Sequence, residues 1–314
     1  MQLRKAIDLF LDGYFSTCQR SEKTIKAYTI DLEQFRRFVG GRPPLEKIGA
    51  DHLESWAAQL RSLGYASASI RRKFAALKVF FNYWFRRGMI EQSPIWRIHL
   101  DLAPEKVLTR VLRLDDIKKL IKQAKIELGN VPRKPTGLID SKFLSLRNRA
   151  IIEVLFTTGL RVGELSTLRI SDYQQEEDTL TVAGKGARQR LAILPDKNSS
   201  NTCRIYLTHR AQIQVATDRL FINHQGSPIS TQSIGCIISR VAQRAGIEQR
   251  VTPHMLRHTV ATLLLRNGAD IRIVQEFLGH ASITTTQRYT HINKADLSLH
   301  LNQFHPNFTN GTIP

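Results

Sequence analysis

Acidic residues, cysteine and long apolar runs are all scarce in this 314-residue chain. Asp and Glu total 27 against 46 Lys and Arg, a formal charge of +19. That imbalance predicts a polyanionic partner. The cations are spread along the chain and not gathered into one juxtamembrane block, which favours nucleic acid over a membrane surface. No apolar stretch approaches the roughly 18 residues that a membrane span requires. The start, Met1 to Lys5 followed by Asp8 and Asp12, lacks the continuous apolar core of a signal peptide. The expectation is a cytoplasmic, nucleoid-associated protein with no membrane partner. Cys18, Cys203 and Cys236 lie far apart, which excludes a disulfide framework and a Cys-based zinc site. There is no P-loop and no acidic cluster of the kind a two-metal phosphoryl site needs, so no cofactor and no metal are expected. Internal repeats and low-complexity segments are also missing.

What is present is apolar periodicity: 42% of residues are hydrophobic, enough for a core in each of two domains. Residues 1–98 read as a small all-helical bundle. Ile7, Phe10, Leu11 and Tyr14 recur at helical spacing, as do Ile25, Tyr28, Leu32, Phe35 and Phe38. A third helix is expected over His52 to Ser62. A fourth, from Ser67, carries the stripe Ile70, Phe74, Leu77, Phe81 and Trp84. Its other faces hold Arg71, Arg72, Lys73 and Lys78, which read either as a solvated face or as phosphate contacts on DNA. Residues 99–106, the end of a stretch from Ser93 to Lys106 with two prolines and no clear period, read as an interdomain linker.

The second domain is expected over 107–295. Ile117, Leu120, Ile121 and Ala124 mark one helix, and 127–143 reads as an irregular basic insertion. Arg149 to Thr158 is apolar enough to be a buried helix, closed by Gly159. Arg161 and Glu164 are three apart on a short helix, so the carboxylate either orients the guanidinium or forms a structural ion pair with it. Thr179–Val182 and Leu191–Leu194 read as strands joined through Gly184-Lys185-Gly186-Ala187-Arg188. Lys185 there is either solubilising decoration or a mobile ammonium offered to a substrate. Helices are expected near Arg204 to Ala216 and Gln232 to Ala245. A C-terminal segment, 296–314, carries a short apolar stripe (Leu297, Leu299, Leu301, Phe304) too small to stand alone, so it must dock, either on its own catalytic domain or on a neighbouring protomer.

The sharpest local signal is Thr252-Pro253-His254-Met255-Leu256-Arg257-His258. Thr252 suits an N-cap and Pro253 the first helical position, so a helix starts here. His254 and Arg257 share a face off its apolar stripe. Beside a helix N-terminus they form either an anion site or a surface turn. Further on, Asp270 caps a helix ending at Gly279, which leaves His280 just past a helix C-terminus, and Tyr289 follows. Cationic or proton-carrying groups and one phenol therefore stand at element ends, where side chains converge on ligands. Two arginines suit a phosphorane, and neighbouring positive charge eases deprotonation of a phenol. The inventory fits metal-free, covalent phosphodiester chemistry.

With Thr158-Gly159-Leu160-Arg161-Val162-Gly163-Glu164-Leu165, the Gly184-Lys185-Gly186 turn, His254-Met255-Leu256-Arg257-His258, Leu278-Gly279-His280 and Tyr289-Thr290-His291, the sequence resembles the tyrosine recombinase (integrase) family, and within it the Xer-like two-domain members. The resemblance covers nearly the whole chain. It implies an active site of Arg161, Lys185, His254, Arg257, His280 and the nucleophile Tyr289, with Glu164 supporting it. It implies a mainly α fold: an N-terminal SAM-like core-binding bundle and a mostly helical catalytic domain with a small antiparallel sheet, together clamping duplex DNA. It further implies transesterification through a 3′-phosphotyrosyl intermediate and a Holliday junction, performed by a homotetramer, or a hetero-tetramer with a paralogue, on a double-stranded recombination site. Rival readings are a type IB topoisomerase and a non-catalytic site-specific DNA-binding protein. The length of 127–143 departs from the Xer pattern, whereas a start directly at the bundle points to a Xer-type or mobile-element enzyme.

Overall fold

A computed structural model describes residues 1–18, 22–40, 43–100, 111–129, 139–183, 189–194, 196–279 and 303–305. The chain divides into two compact units, Met1–Leu108 and Thr109–Pro314. Residues 101–110, which hold most of the expected linker, are outside the described residues. Among the described residues no helix is long and apolar enough to cross a membrane.

The first unit packs α1 (Leu3–Thr17), α2 (Glu22–Phe38), α3 (Ala50–Ser62) and α4 (Ser67–Arg86) around one core. The periodicity of each helix decides what it buries. Leu3, Ala6, Ile7 and Phe10 go inward from α1, and Leu53, Trp56, Ala57 and Leu60 from α3. All five residues of the expected α4 stripe are buried, joined by Ala76 and Phe80. The core is largely aromatic: Phe10 meets Phe80 edge-on at 5.3 Å, and Phe35 meets Trp56 at 5.1 Å.

One charged residue of α4 also goes inward, which corrects the expected DNA-facing set. Lys73 is 2% exposed, and its Nζ donates to Asp31 Oδ1 of α2 at 3.0 Å and to Gln34 Oε1. The Tyr65 ring lies 5.2 Å away, on the same ammonium. Bringing Lys73 to a phosphate would uncover this pair and leave Asp31 buried and unneutralised by it. Lys73 is therefore a core residue. Arg71, Arg72 and Lys78 remain on the exposed face, with Arg72 also bonded to Asp31.

The second unit is built on α6 (Ser141–Thr158), in which every residue from Ala150 to Thr158 is buried. Around it lie α5 (Leu114–Gly129), α8 (Lys197–Ala211), α9 (Thr231–Arg244) and α10 (Pro253–Arg266). Helix α7 (Val162–Thr167) follows α6, and α11 (Ile271–Leu278) packs on α10. Strands β1 (Tyr173–Gln174), β2 (Thr179–Ala183) and β3 (Gln189–Ile193) form one antiparallel sheet in the order β1-β2-β3. Its register pairs Leu180 with Ala192 and Val182 with Arg190. Strand β1 is absent from the sequence-based expectation, because two residues carry no period.

Helix α8 starts seven residues before the expected Arg204. Asp196 caps it, accepting from the Asn198 and Ser199 amides, and its buried face is mostly small and polar (Ser199, Ser200, Thr202, Cys203). The irregular stretch expected over 127–143 is shorter, because α5 reaches Gly129 and Asp140 caps α6 by accepting from the Phe143 amide at 2.6 Å. Within 296–314, the segment expected to dock on a neighbour, residues 303–305 sit against their own unit. Asn267 Nδ2 donates to the Phe304 carbonyl at 2.8 Å, and His305 is fully buried with Phe156 and Phe277 edge-on to its ring. The rest of that segment is outside the described residues.

Candidate active site

Two helix ends and one strand meet at a cluster of arginines. The α6 helix stops at Gly159, whose left-handed φ of 60° places its carbonyl and the next two residues at the start of α7. A Cβ at this position would lie 2.9 Å from Leu278 Cδ2 and 3.1 Å from Phe277 Cε1, so glycine is required by conformation and by contact. Arg161 then occupies the N-cap of α7. Its amide donates to Glu164 Oε2 at 2.8 Å and its Nη1 to Glu164 Oε1 at 2.7 Å. The carboxylate thus caps the helix and fixes the guanidinium at once.

Arg257 arrives from α10. Thr252 caps that helix as expected, its Oγ1 accepting from the Met255 amide at 3.2 Å, with Pro253 in the first turn. Arg257 is 8% exposed and donates to the Gly159 carbonyl at 2.6 Å and the Leu278 carbonyl at 2.8 Å. Burial, with Arg161 and Arg190 nearby, lowers its pKa to about 10, which still leaves it cationic at neutral pH. His254, three residues earlier, is exposed at the same helix start.

Sequence reasoning does not single out the third arginine. Arg190 of β3 donates from Nη2 to Glu164 Oε2 at 3.0 Å and from Nη1 to the Phe277 carbonyl at 3.1 Å. Its only sequence signal is a cation flanked by polar Gln189 and apolar Leu191 on a short strand. The pleat puts it on the same face as buried Ala192 and opposite to exposed Leu191. Burial lowers the Arg190 pKa, opposed by Glu164. For Glu164 burial acts upward, but the Arg161 amide and the charges of Arg190 and Arg161 outweigh it, and the net shift is downward.

Among the described residues Glu164 bonds Arg161 and Arg190, Arg257 lies close by and Glu276 acts on Arg190, so positive charges outnumber negative ones here. Such an excess of guanidinium donors is the electrostatics that a phosphodiester would complete. Successive carbonyls at the end of α11, from Phe277, Leu278 and Gly279, each accept from a different arginine: Arg190, Arg257 and, at 3.4 Å, Arg161. The expected site residues Lys185, His280 and Tyr289 lie outside the described residues. Among the described residues no cluster of three or more His, Cys, Asp or Glu could hold a metal ion.

The phage integrase family model matches residues 110–296, and the phage integrase N-terminal SAM-like domain model matches 7–88. The chain belongs to the phage integrase family. It is 34% identical over 294 residues to a tyrosine recombinase of Agathobacter rectalis, covering 92% of each chain. It is 34% identical over 307 residues to tyrosine recombinase XerD of Listeria innocua, covering 96% of this chain and 98% of that one. Among solved structures, XerH site-specific recombinase bound to palindromic difH substrate matches with a TM-score of 0.65 and 26% identity over 88% of this chain and 79% of that one. A lambda integrase tetramer bound to a Holliday junction shares the fold, with a TM-score of 0.68 and 20% identity over 92% of this chain and 80% of that one. The protein is a tyrosine recombinase, a DNA strand-transferring enzyme of site-specific recombination.

Proposed function

We propose that this recombinase cuts and rejoins duplex DNA at Tyr289, with Arg161 and Arg257 holding the scissile phosphate. The observation that carries the reading is the positively charged cluster around Glu164, where two of the expected arginines converge from separate elements. In the proposed step the Tyr289 oxygen bonds to phosphorus and the bond to the 5′ oxygen breaks. Lys185 supplies the proton to that leaving oxygen. Arg161, Arg257 and His280 neutralise the phosphorane, and His254 assists proton transfer or phosphate binding. The phosphodiester energy is kept in the 3′-phosphotyrosyl link, so resealing by a partner 5′ hydroxyl needs no nucleotide.

Both units contact DNA in this reading, the first through Arg71, Arg72 and Lys78 on α4. The assembly is a tetramer on two recombination sites that passes through a Holliday junction, as the relatives with solved DNA complexes suggest. The charge excess and the DNA substrate support a cytoplasmic, nucleoid-associated location. The test is a nicked suicide substrate that traps the covalent complex. Wild-type protein is expected to accumulate a protein–DNA adduct and Tyr289→Phe to bind the site without one. An adduct of normal yield from Tyr289→Phe would move the nucleophile elsewhere.

A further inference from the structure

Arg190 is the one member of the arginine cluster to which the proposed chemistry gives no task. Its contacts separate it from the buried Arg147 and Arg210 of the same unit. Arg147 bonds the Ile222 carbonyl and the neighbouring Asn148 side chain, and Arg210 bonds the carbonyls of Ile213, Thr217 and Arg219. Those two tie loops to the core. Arg190 divides its donors differently, with one terminal nitrogen on Glu164 and the other on Phe277. Glu164 in turn bonds Arg161, and Phe277 opens the run of three carbonyls held by the cluster.

We infer that Arg190 is a positioning residue for strand cleavage, one that sets the orientation of Arg161 through Glu164 and the placement of the α11 end through the Phe277 carbonyl. The inference rests on the proposed assignment of Arg161 and Tyr289. Glu164 has two oxygens, and the Arg161 amide and Arg190 share Oε2 while Arg161 Nη1 holds Oε1. With Arg190 gone, Glu164 keeps its two bonds from Arg161 but loses its tie to β3, so the carboxylate and the Arg161 guanidinium can shift together. At the other end, the Arg190 side chain fills the space beside Gly279, where even a Cβ would collide with it. Gly279 takes a left-handed φ of 65° and is the residue before His280. The arginine side chain thus bounds the end of α11 at Gly279. A lysine in this place presents its donors from one compact nitrogen and lacks the fork by which Nη2 reaches Glu164 and Nη1 reaches Phe277.

The test is single-turnover cleavage of a suicide substrate at saturating protein, read as a rate constant and an amplitude. The wild type and Tyr289→Phe are run first. An adduct from the former and none from the latter establishes the nucleophile independently of Arg190, so a failure there counts against that assignment and not against this one. Arg190→Lys is expected to bind the site within about twofold of wild type, keep its amplitude and cleave about tenfold more slowly. Arg190→Met is expected to cleave about a hundredfold more slowly, the scale of a misplacement of about 1 Å at a reacting centre. In a Glu164→Gln background, Arg190→Lys is expected to cost less than about threefold further, because the two act through one contact. A purely structural role would reduce amplitude and melting temperature while leaving the rate constant of the folded fraction unchanged. That result in Arg190→Lys, which keeps charge and bulk, would overturn the inference even if Arg190→Met does not fold. Additive effects with Glu164→Gln would overturn it as well.

Discussion

Asp31 in the first unit and Glu164 in the second each bind two cations, and the difference lies in where the positive charge goes afterwards. Asp31 is 1% exposed at its side chain and Lys73 2%, so that pair is closed to solvent. Its second partner, Arg72, is half exposed. Glu164 pairs with Arg161, 43% exposed, and Arg190, 17% exposed, and Arg257 adds a third guanidinium close by. The first carboxylate locks α2 to α4. The second orients cations and leaves them in excess beside an accessible face. An ion pair in a core fixes helices; an under-neutralised one prepares a site for an anion.

The largest effect expected from this contrast is on stability. Asp31→Ala strands the buried Lys73 ammonium and should cost about 3–5 kcal/mol in denaturant unfolding. Replacing both partners, Asp31→Leu with Lys73→Met, should restore much of it, since the desolvation cost disappears with the charges. Glu164→Gln should do the reverse of Asp31→Ala: a small loss of stability with a large loss of cleavage per folded molecule. If Asp31→Ala instead slowed cleavage in the folded fraction while Glu164→Gln left it intact, the contrast would be wrong.

His305 is buried against Phe156 and Phe277, and burial lowers its pKa from 6.5 to about 4. Between those values the unfolded chain binds more protons, so stability is complete above about pH 6.5 and falls as the pH falls. The decline levels off near pH 4 at about 3 kcal/mol. His305→Gln should flatten this slope in melting curves taken across the window. An unchanged slope would remove His305 from the account. Gly159→Ala is expected to destabilise by about 1–2 kcal/mol from its left-handed backbone alone. The clash with Leu278 and Phe277 should also slow cleavage, because it pushes α11 off Arg257. The smallest effect should come from the first unit's surface. Replacing Arg71, Arg72 and Lys78 together with Ala should flatten the dependence of log affinity on log salt by about 0.9 for each DNA phosphate that is no longer neutralised. An equal slope would return those residues to a solvated face.

Much of this arrangement is legible in the sequence, and the failures have physical causes. The helices of the first unit follow from apolar spacing because their buried faces are large and aromatic. Lys73 is misplaced by its sequence pattern because periodicity records which face a side chain occupies, not whether Asp31 waits on another helix. The start of helix α8 is obscured because its inward face of Ser, Thr and Cys is hidden from any hydrophobic pattern. The Gly159 and Thr252 caps are visible, since each rests on local backbone chemistry. Arg190 is not, because its partners Glu164 and Phe277 lie 26 and 87 residues away.

In the proposed function the positive charge of Arg161 and Arg257 neutralises the reacting phosphate. A substrate in which a neutral methylphosphonate replaces the scissile phosphate tests it most directly. On ordinary DNA, Arg257→Ala should cleave at least about a hundredfold more slowly than wild type. On the methylphosphonate, which carries one negative charge fewer, the same variant should recover most of that deficit relative to wild type. An equal deficit on both substrates would mean that Arg257 serves the fold through the Gly159 and Leu278 carbonyls and not the charge of the reacting phosphate.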